Sequence, residues 1–259
     1  MALALQQHAR NPLALEQVRQ QLAATRPREL ERPAGAPWSH AALAGRLVEL
    51  SAEGGAAALT WAVRLVAQAQ AGGAAGARPV AWVTTRAGAF YPPDAAANGV
   101  ALEALAVVRV PDGAALGRAA ERLARSGGFG LIVLDAVAEG PRVALLPALA
   151  GRLAQHALHH GTAVLCLTEK PARAASLGSL VSLRAQAERW RAVPPREAAR
   201  PAPPAPRGGA GGRGDEDRPA PPAEAEPGPF LCALRIVKDK RSGPGWTQRE
   251  ACHGPPGLR

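Results

Sequence analysis

Two adjacent glycines, Gly54 and Gly55, sit where a chain could cradle a phosphate. They lie in a small-residue run at 51–57, between the short apolar run GRLVEL and a long apolar stretch at 58–70. The first run reads as a strand and the second as a helix. Strand, tight loop and helix is the layout of a phosphate-binding loop, GxxxxGK[ST]. In that motif backbone N–H groups surround the phosphates, a lysine neutralises them and a hydroxyl holds magnesium. Here Ala58 stands at the lysine position and Leu59 at the hydroxyl position. A charge-assisted hydrogen bond from lysine to phosphate is worth about 1.5–3 kcal/mol, so its loss weakens ATP binding by roughly ten- to a hundredfold. Thr60 comes one position late, and a helix turns about 100° per residue, so its hydroxyl is expected to aim elsewhere.

Other residues carry possible chemistry. Asp135 closes the apolar run 131–134, where a magnesium-binding carboxylate could sit. An Asp at a strand end also serves as a turn or helix cap, and beside an eroded loop a structural remnant is expected. His156 and His160 have the i, i+4 spacing that can grip zinc, but no HExxH pattern or carboxylate partner accompanies them. The structural alternative is a cationic helix end capped by Gly161. Arg189, Trp190 and Arg191, with Lys238, Lys240, Arg241 and Trp246, mix charge with aromatic rings. That mixture suits single-stranded nucleic acid or a protein interface.

These positions need elements to hold them. A chain of 259 residues suffices for one substantial α/β core with extensions, and its aromatic content of 3% means a core of small aliphatic side chains. Strands are expected at 46–50, 80–84, 106–110, 130–134, 163–167 and 179–184, with helices at 58–70, 114–126 and 143–160. Near-continuous apolar strands alternating with helices imply a mostly parallel sheet covered on both faces. Four regions follow: an N-terminal helix and connector (1–40), the core (41–193), a linker (194–229), and a returning strand with a basic tail (230–259). Asn11 and Pro12 open the N-terminal helix, whose apolar stripe is Leu15, Val18 and Leu22. The linker holds eleven prolines in thirty-six residues and is expected to be disordered. Beyond 237 there is little apolar material, so the tail is expected to order only on a partner.

The net charge of +10 and pI near 11.0 favour an anionic partner, nucleic acid first and an acidic protein second. Cys166, Cys232 and Cys252 form no CxxC and imply no disulfide framework, so a reducing cytoplasm is expected. No signal peptide is read at the N-terminus, and no apolar run reaches the roughly 18 residues of a membrane span.

The order of these segments resembles the RecA recombinase superfamily. GRLVEL with its loop and helix, PVAWVT, NGVALEAL, LARSGGFGLIVLD, TAVLCLTE and LRIVKDKR follow one another as in a RecA core, over about two thirds of the chain. Among such relatives, the short length and eroded loop look most like the ImuA family, which accompanies an error-prone polymerase system in the bacterial DNA-damage response. The resemblance implies a P-loop NTPase core in which Gly54, Gly55, Ala58, Leu59 and Asp135 form a degenerate nucleotide site. Arg86 falls where the family places a catalytic Glu, and a permanently protonated Arg cannot act as that base. Glu169 replaces a Gln that reports nucleotide state. Lys170, Arg173 and Arg184 fall in the region of the second DNA-binding loop, where they touch phosphates or serve as solvated loop charge. The first such loop looks deleted, with only 136–142 before the next helix.

The expectation is a non-catalytic adaptor without a cofactor, in which only weak binding of ATP and magnesium stays open. Its implied partners are RecA, an ImuB-type polymerase-like protein and, through it, a DnaE-type polymerase, with single-stranded DNA a further candidate and no membrane. Two other readings remain: an active ATP-dependent DNA-binding recombination or repair protein, and a cell-division inhibitor of the SulA type.

Overall fold

The apolar runs of the sequence become the strands of one sheet. The computed structural model describes residues 38–54, 56–72, 77–140, 145–191 and 230–252, all within the unit Ala36–Arg259. After a short helix α1 (His40–Leu43), strand β1 (Leu47–Ala52) leads into helix α2 (Ala56–Ala71). Then come β2 (Val80–Thr85), α3 (Pro92–Ala97), β3 (Leu105–Val110), α4 (Gly113–Ser126), β4 (Leu131–Asp135), α5 (Pro147–His160) and β5 (Ala163–Glu169). The chain finishes with β6 (Leu183–Arg191), β7 (Phe230–Asp239) and β8 (Thr247–Cys252). The eight strands lie in the order β3-β2-β4-β5-β1-β6-β7-β8. The first six run parallel, and β7 and β8 are antiparallel to their neighbours. The molecule is thus an α/β fold with a mostly parallel sheet and helices on both faces.

Strand burial explains the sequence pattern. Every residue of β1, β2 and β4 is buried, as strands covered on two faces must be. Alternate side chains feed two cores. Val48, Leu50, Trp82, Val133 and Leu165 pack with Ala58, Trp61, Ala62 and Leu65 of α2. Leu47, Val83, Ile132 and Val164 pack with Leu116 and Ala120 of α4 and with Leu153 and Ala157 of α5. Each fully buried Val or Leu contributes about 1.5–3 kcal/mol, so these two layers carry most of the fold's stability. Helix α4 starts where the Asp112 side chain accepts from the Ala115 N–H at 2.7 Å. It ends at Gly127, whose φ of 68° few other residues adopt.

Two expectations need correcting. The sixth strand was expected at 179–184 but runs from Leu183 to Arg191. The apolar run that suggested 179–184 belongs to the preceding loop, with Leu180 exposed and Val181 buried. The true strand is inconspicuous because Arg184, Gln186 and Glu188 alternate polar residues through it. The tail, expected to lack structure alone, forms β8 along the far edge of β7. Its inward residues Gln248 and Glu250 are polar, so no apolar alternation announces it. Gln248 Oε1 accepts from the Trp38 N–H at 3.3 Å, Glu250 pairs with Arg64, and Cys252 is buried. The expected N-terminal helix, the linker 194–229 and the last residues 253–259 lie outside the described residues.

Candidate functional site: a closed loop edge and a polar network

Strand β1 extends further than its motif reading requires. It stays paired through Ala52, opposite Glu169 of β5 and Ala187 of β6. Helix α2 opens at Ala56, so Ser51, Ala52, Ala56 and Ala57 all leave the expected seven-residue loop for regular structure. Glu53 and Gly54 turn the chain after β1; Gly54 has a φ of 80°, and Gly55, the last residue before α2, lies outside the described residues. Four residues separate the two glycines of a phosphate-binding loop, and this turn is narrower than that. Ala58 is fully buried in the α2-side core, and Leu59 packs partly against it. The position where a phosphate-binding lysine would stand is therefore occupied by core packing.

Asp135 is sealed as well. It is fully buried opposite Thr84 on β2. Its carboxylate accepts from Thr84 Oγ1 at 3.1 Å, from Trp82 Nε1 at 3.4 Å and from the Val137 N–H at 3.4 Å. Burial raises its carboxyl pKa, against the pull of those three donors. The turn after β2 comes close to the same threonine: a Cβ on Gly88 would lie 1.8 Å from Thr84 Oγ1. Arg86, by contrast, is exposed in that turn.

The charged residues expected to meet phosphates divide into two groups. Lys170 and Arg184 are buried, 5% and 3% exposed, under the loop that joins β5 to β6. Both face Glu49, a fully buried carboxylate in the middle of β1, with Lys170 Nζ at 2.5 Å and Arg184 Nε at 3.8 Å. Glu49 also accepts from Ser176 Oγ at 2.8 Å, the Leu177 N–H at 2.9 Å and Thr168 Oγ1 at 3.4 Å. Lys170 donates to the carbonyl of Ala175 at 2.8 Å, and Arg184 to those of Pro171, at 2.9 Å, and Ala174. The two cations hold a loop in place, and their donors are spent inside the protein rather than offered to a phosphate. Arg173 alone of this trio is exposed, on that loop.

Lys238, Lys240 and Arg241 lie at the other edge of the sheet. Lys238 is in the last residues of β7, paired with Arg184, and Lys240 and Arg241 follow the strand's end, which lies beside the start of β6, whereas the turn at Gly54 follows the end of β1. Lys240 Nζ donates to the Ser179 carbonyl at 2.6 Å and Lys238 Nζ to that of Gly178 at 3.5 Å. Burial, then the neighbouring Lys240, lowers the Lys238 pKa. The Arg241 N–H donates to Asp239 Oδ1 at 2.9 Å, and Asp239 is itself held by Arg46 at 2.6 Å. Arg189, half a strand away, stacks on Phe230 at 3.9 Å. His156 and His160 stack with ring centroids 6.3 Å apart, next to the left-handed Gly161.

Sequence reasoning missed Glu49. Its signal was a single carboxylate inside the apolar run LVEL, in a strand already assigned to the centre of the sheet. A charge there is tolerated only when it is paired. No helix among the described residues is long and apolar enough to cross a membrane. No protein-family model matches the chain, and no curated protein matches it.

Proposed function

We propose that this chain is a RecA-like domain that has lost its ATPase and works as a binding adaptor in the bacterial DNA-damage response, supporting error-prone translesion synthesis. One observation supports the loss of catalysis: β1 stays paired through Ala52, α2 already opens at Ala56, and Ala58 is buried where a phosphate-binding lysine would stand. The position of that turn supports the RecA-like reading, since it joins an interior parallel strand to a long apolar helix as in a phosphate-binding fold. The burial of Asp135 agrees with a remnant rather than a magnesium ligand. The charge of +10 fits partners that are anionic or carry DNA.

In this reading the partners are RecA, an ImuB-type polymerase-like protein and indirectly a DnaE-type polymerase. The test is a pulldown with the tagged full chain from bacteria treated with a DNA-damaging agent. RecA and the polymerase-like protein are expected in the eluate. Recovery of a tubulin-like division protein in their place would overturn the adaptor role in favour of division inhibition.

A further inference from the structure

A cavity of about 460 Å³ opens between the first turns of α4 and α5. That is within the range of about 300–1,000 Å³ typical of pockets that hold a ligand. Its buried lining is apolar: Leu116, Leu134, Cys166 and Leu177. Leu146, on the same cavity, is 73% exposed. Leaving such surface in water is unfavourable, and exposed apolar surface beside a cavity marks a contact site.

The second observation is charge. Arg118, Arg122 and Arg125 are spaced four and three apart on α4, so they share one stripe, and all three are exposed. Arg118 also lines the cavity. The acidic residue beside them, Glu121, is claimed by Arg152 of α5 through bonds of 2.5 and 3.1 Å. Arg118 and Arg122 make no ion pair among the described residues.

We propose that this groove docks an acidic amphipathic segment of a partner protein. An apolar side chain of that segment fills the cavity over Leu146, and its carboxylates meet Arg118 and Arg122. A nucleic acid would use the arginines but has no aliphatic group for the leucine-lined cavity. The chain's own acidic stretch at 215–226 has no side chain larger than proline apart from its charged residues, so it supplies no anchor either. Helical segments read by apolar anchors at i and i+4 with charged flanks are a recurring mode of recognition. The inference does not depend on the DNA-damage role.

The test uses the full chain and a fluorescent synthetic amphipathic helix with leucines four residues apart and glutamates on the flanking positions, followed by anisotropy. Controls are the same peptide with serines for leucines, and an oligo(dT) strand. The leucine peptide is expected to bind. Leu146→Asp, or Arg118→Glu with Arg122→Glu, is expected to weaken it about tenfold or more, as truncation of a central anchor does. All three positions are exposed, and circular dichroism verifies that the variants stay folded. Leu146→Asp is expected to leave oligo(dT) binding unchanged. Absence of peptide binding, equal binding of the serine peptide, or indifference to both variants overturns the proposal. So does oligo(dT) binding that depends on the arginines and exceeds peptide binding. Concentration-dependent self-association abolished by Leu146→Asp would assign the groove to a second copy of the chain and also overturn it.

Discussion

Two carboxylates are fully buried in the same parallel sheet, and they are held in opposite ways. Glu49 on β1 is surrounded by two cations, two hydroxyls within 3.4 Å and a backbone N–H. Asp135 on β4, with only β5 between them, is held by neutral donors alone. Burial among neutral groups penalises the ionised form of Asp135. The residue that the motif singles out, Asp135, is thus the one the fold has closed off. The residue that no motif names, Glu49, organises the loop where phosphate binding was expected.

The largest effect should come from Glu49→Ala. It strands Lys170 and Arg184 in the interior, and breaking a buried pair in this way costs about 3–5 kcal/mol. Chemical denaturation should register that loss, and protease should reach the 170–178 loop sooner. A cost near zero would mean that the loop is held by its backbone alone. Asp135→Ala removes an acceptor from Thr84 and Trp82 and should cost about 1–3 kcal/mol, as an unsatisfied buried donor does.

Asp135→Asn sharpens the contrast through pH. A carboxyl whose folded pKa is raised contributes stability below its unfolded value, and this contribution is lost as pH rises through the folded value. The amide keeps an acceptor and cannot ionise. Its variant should therefore be more stable than the parent near pH 7, and the advantage should vanish towards about pH 4. A difference independent of pH would show that burial does not penalise the ionised carboxylate.

What could be read from the sequence divides along the same physical line. Strands β1, β2, β4 and β5 were legible because both faces are apolar, so their hydrophobic runs are continuous. Strands β6 and β8 were not, since Arg184, Gln186, Gln248 and Glu250 occupy inward positions, and Arg184, Gln248 and Glu250 find partners far away in sequence. The same holds for the site. That Ala58 and Leu59 stand where a phosphate-binding motif needs a lysine and a hydroxyl was visible letter by letter. The partnership of Lys170 and Arg184 with Glu49 was not, because more than 120 residues separate the acid from either cation. Local pattern carries burial of apolar groups; it does not carry pairings that only tertiary structure creates.

A smaller effect is expected at the far edge of the sheet. Lys240 and Arg241 are exposed, so replacing both with Ala should change stability by less than about 1 kcal/mol. If this edge meets single-stranded DNA, the slope of log K against log salt should fall by about one unit for each phosphate that is no longer neutralised. An unchanged slope would remove this edge from any nucleic-acid interface.

The central proposal is that the turn after β1 does not serve a nucleotide. Phosphate release from ATP by the purified full chain, with magnesium and with or without single-stranded DNA, tests this most directly. The expected rate is indistinguishable from a protein-free control in both conditions. A DNA-stimulated rate that disappears in a folded Asp135→Asn variant would contradict it.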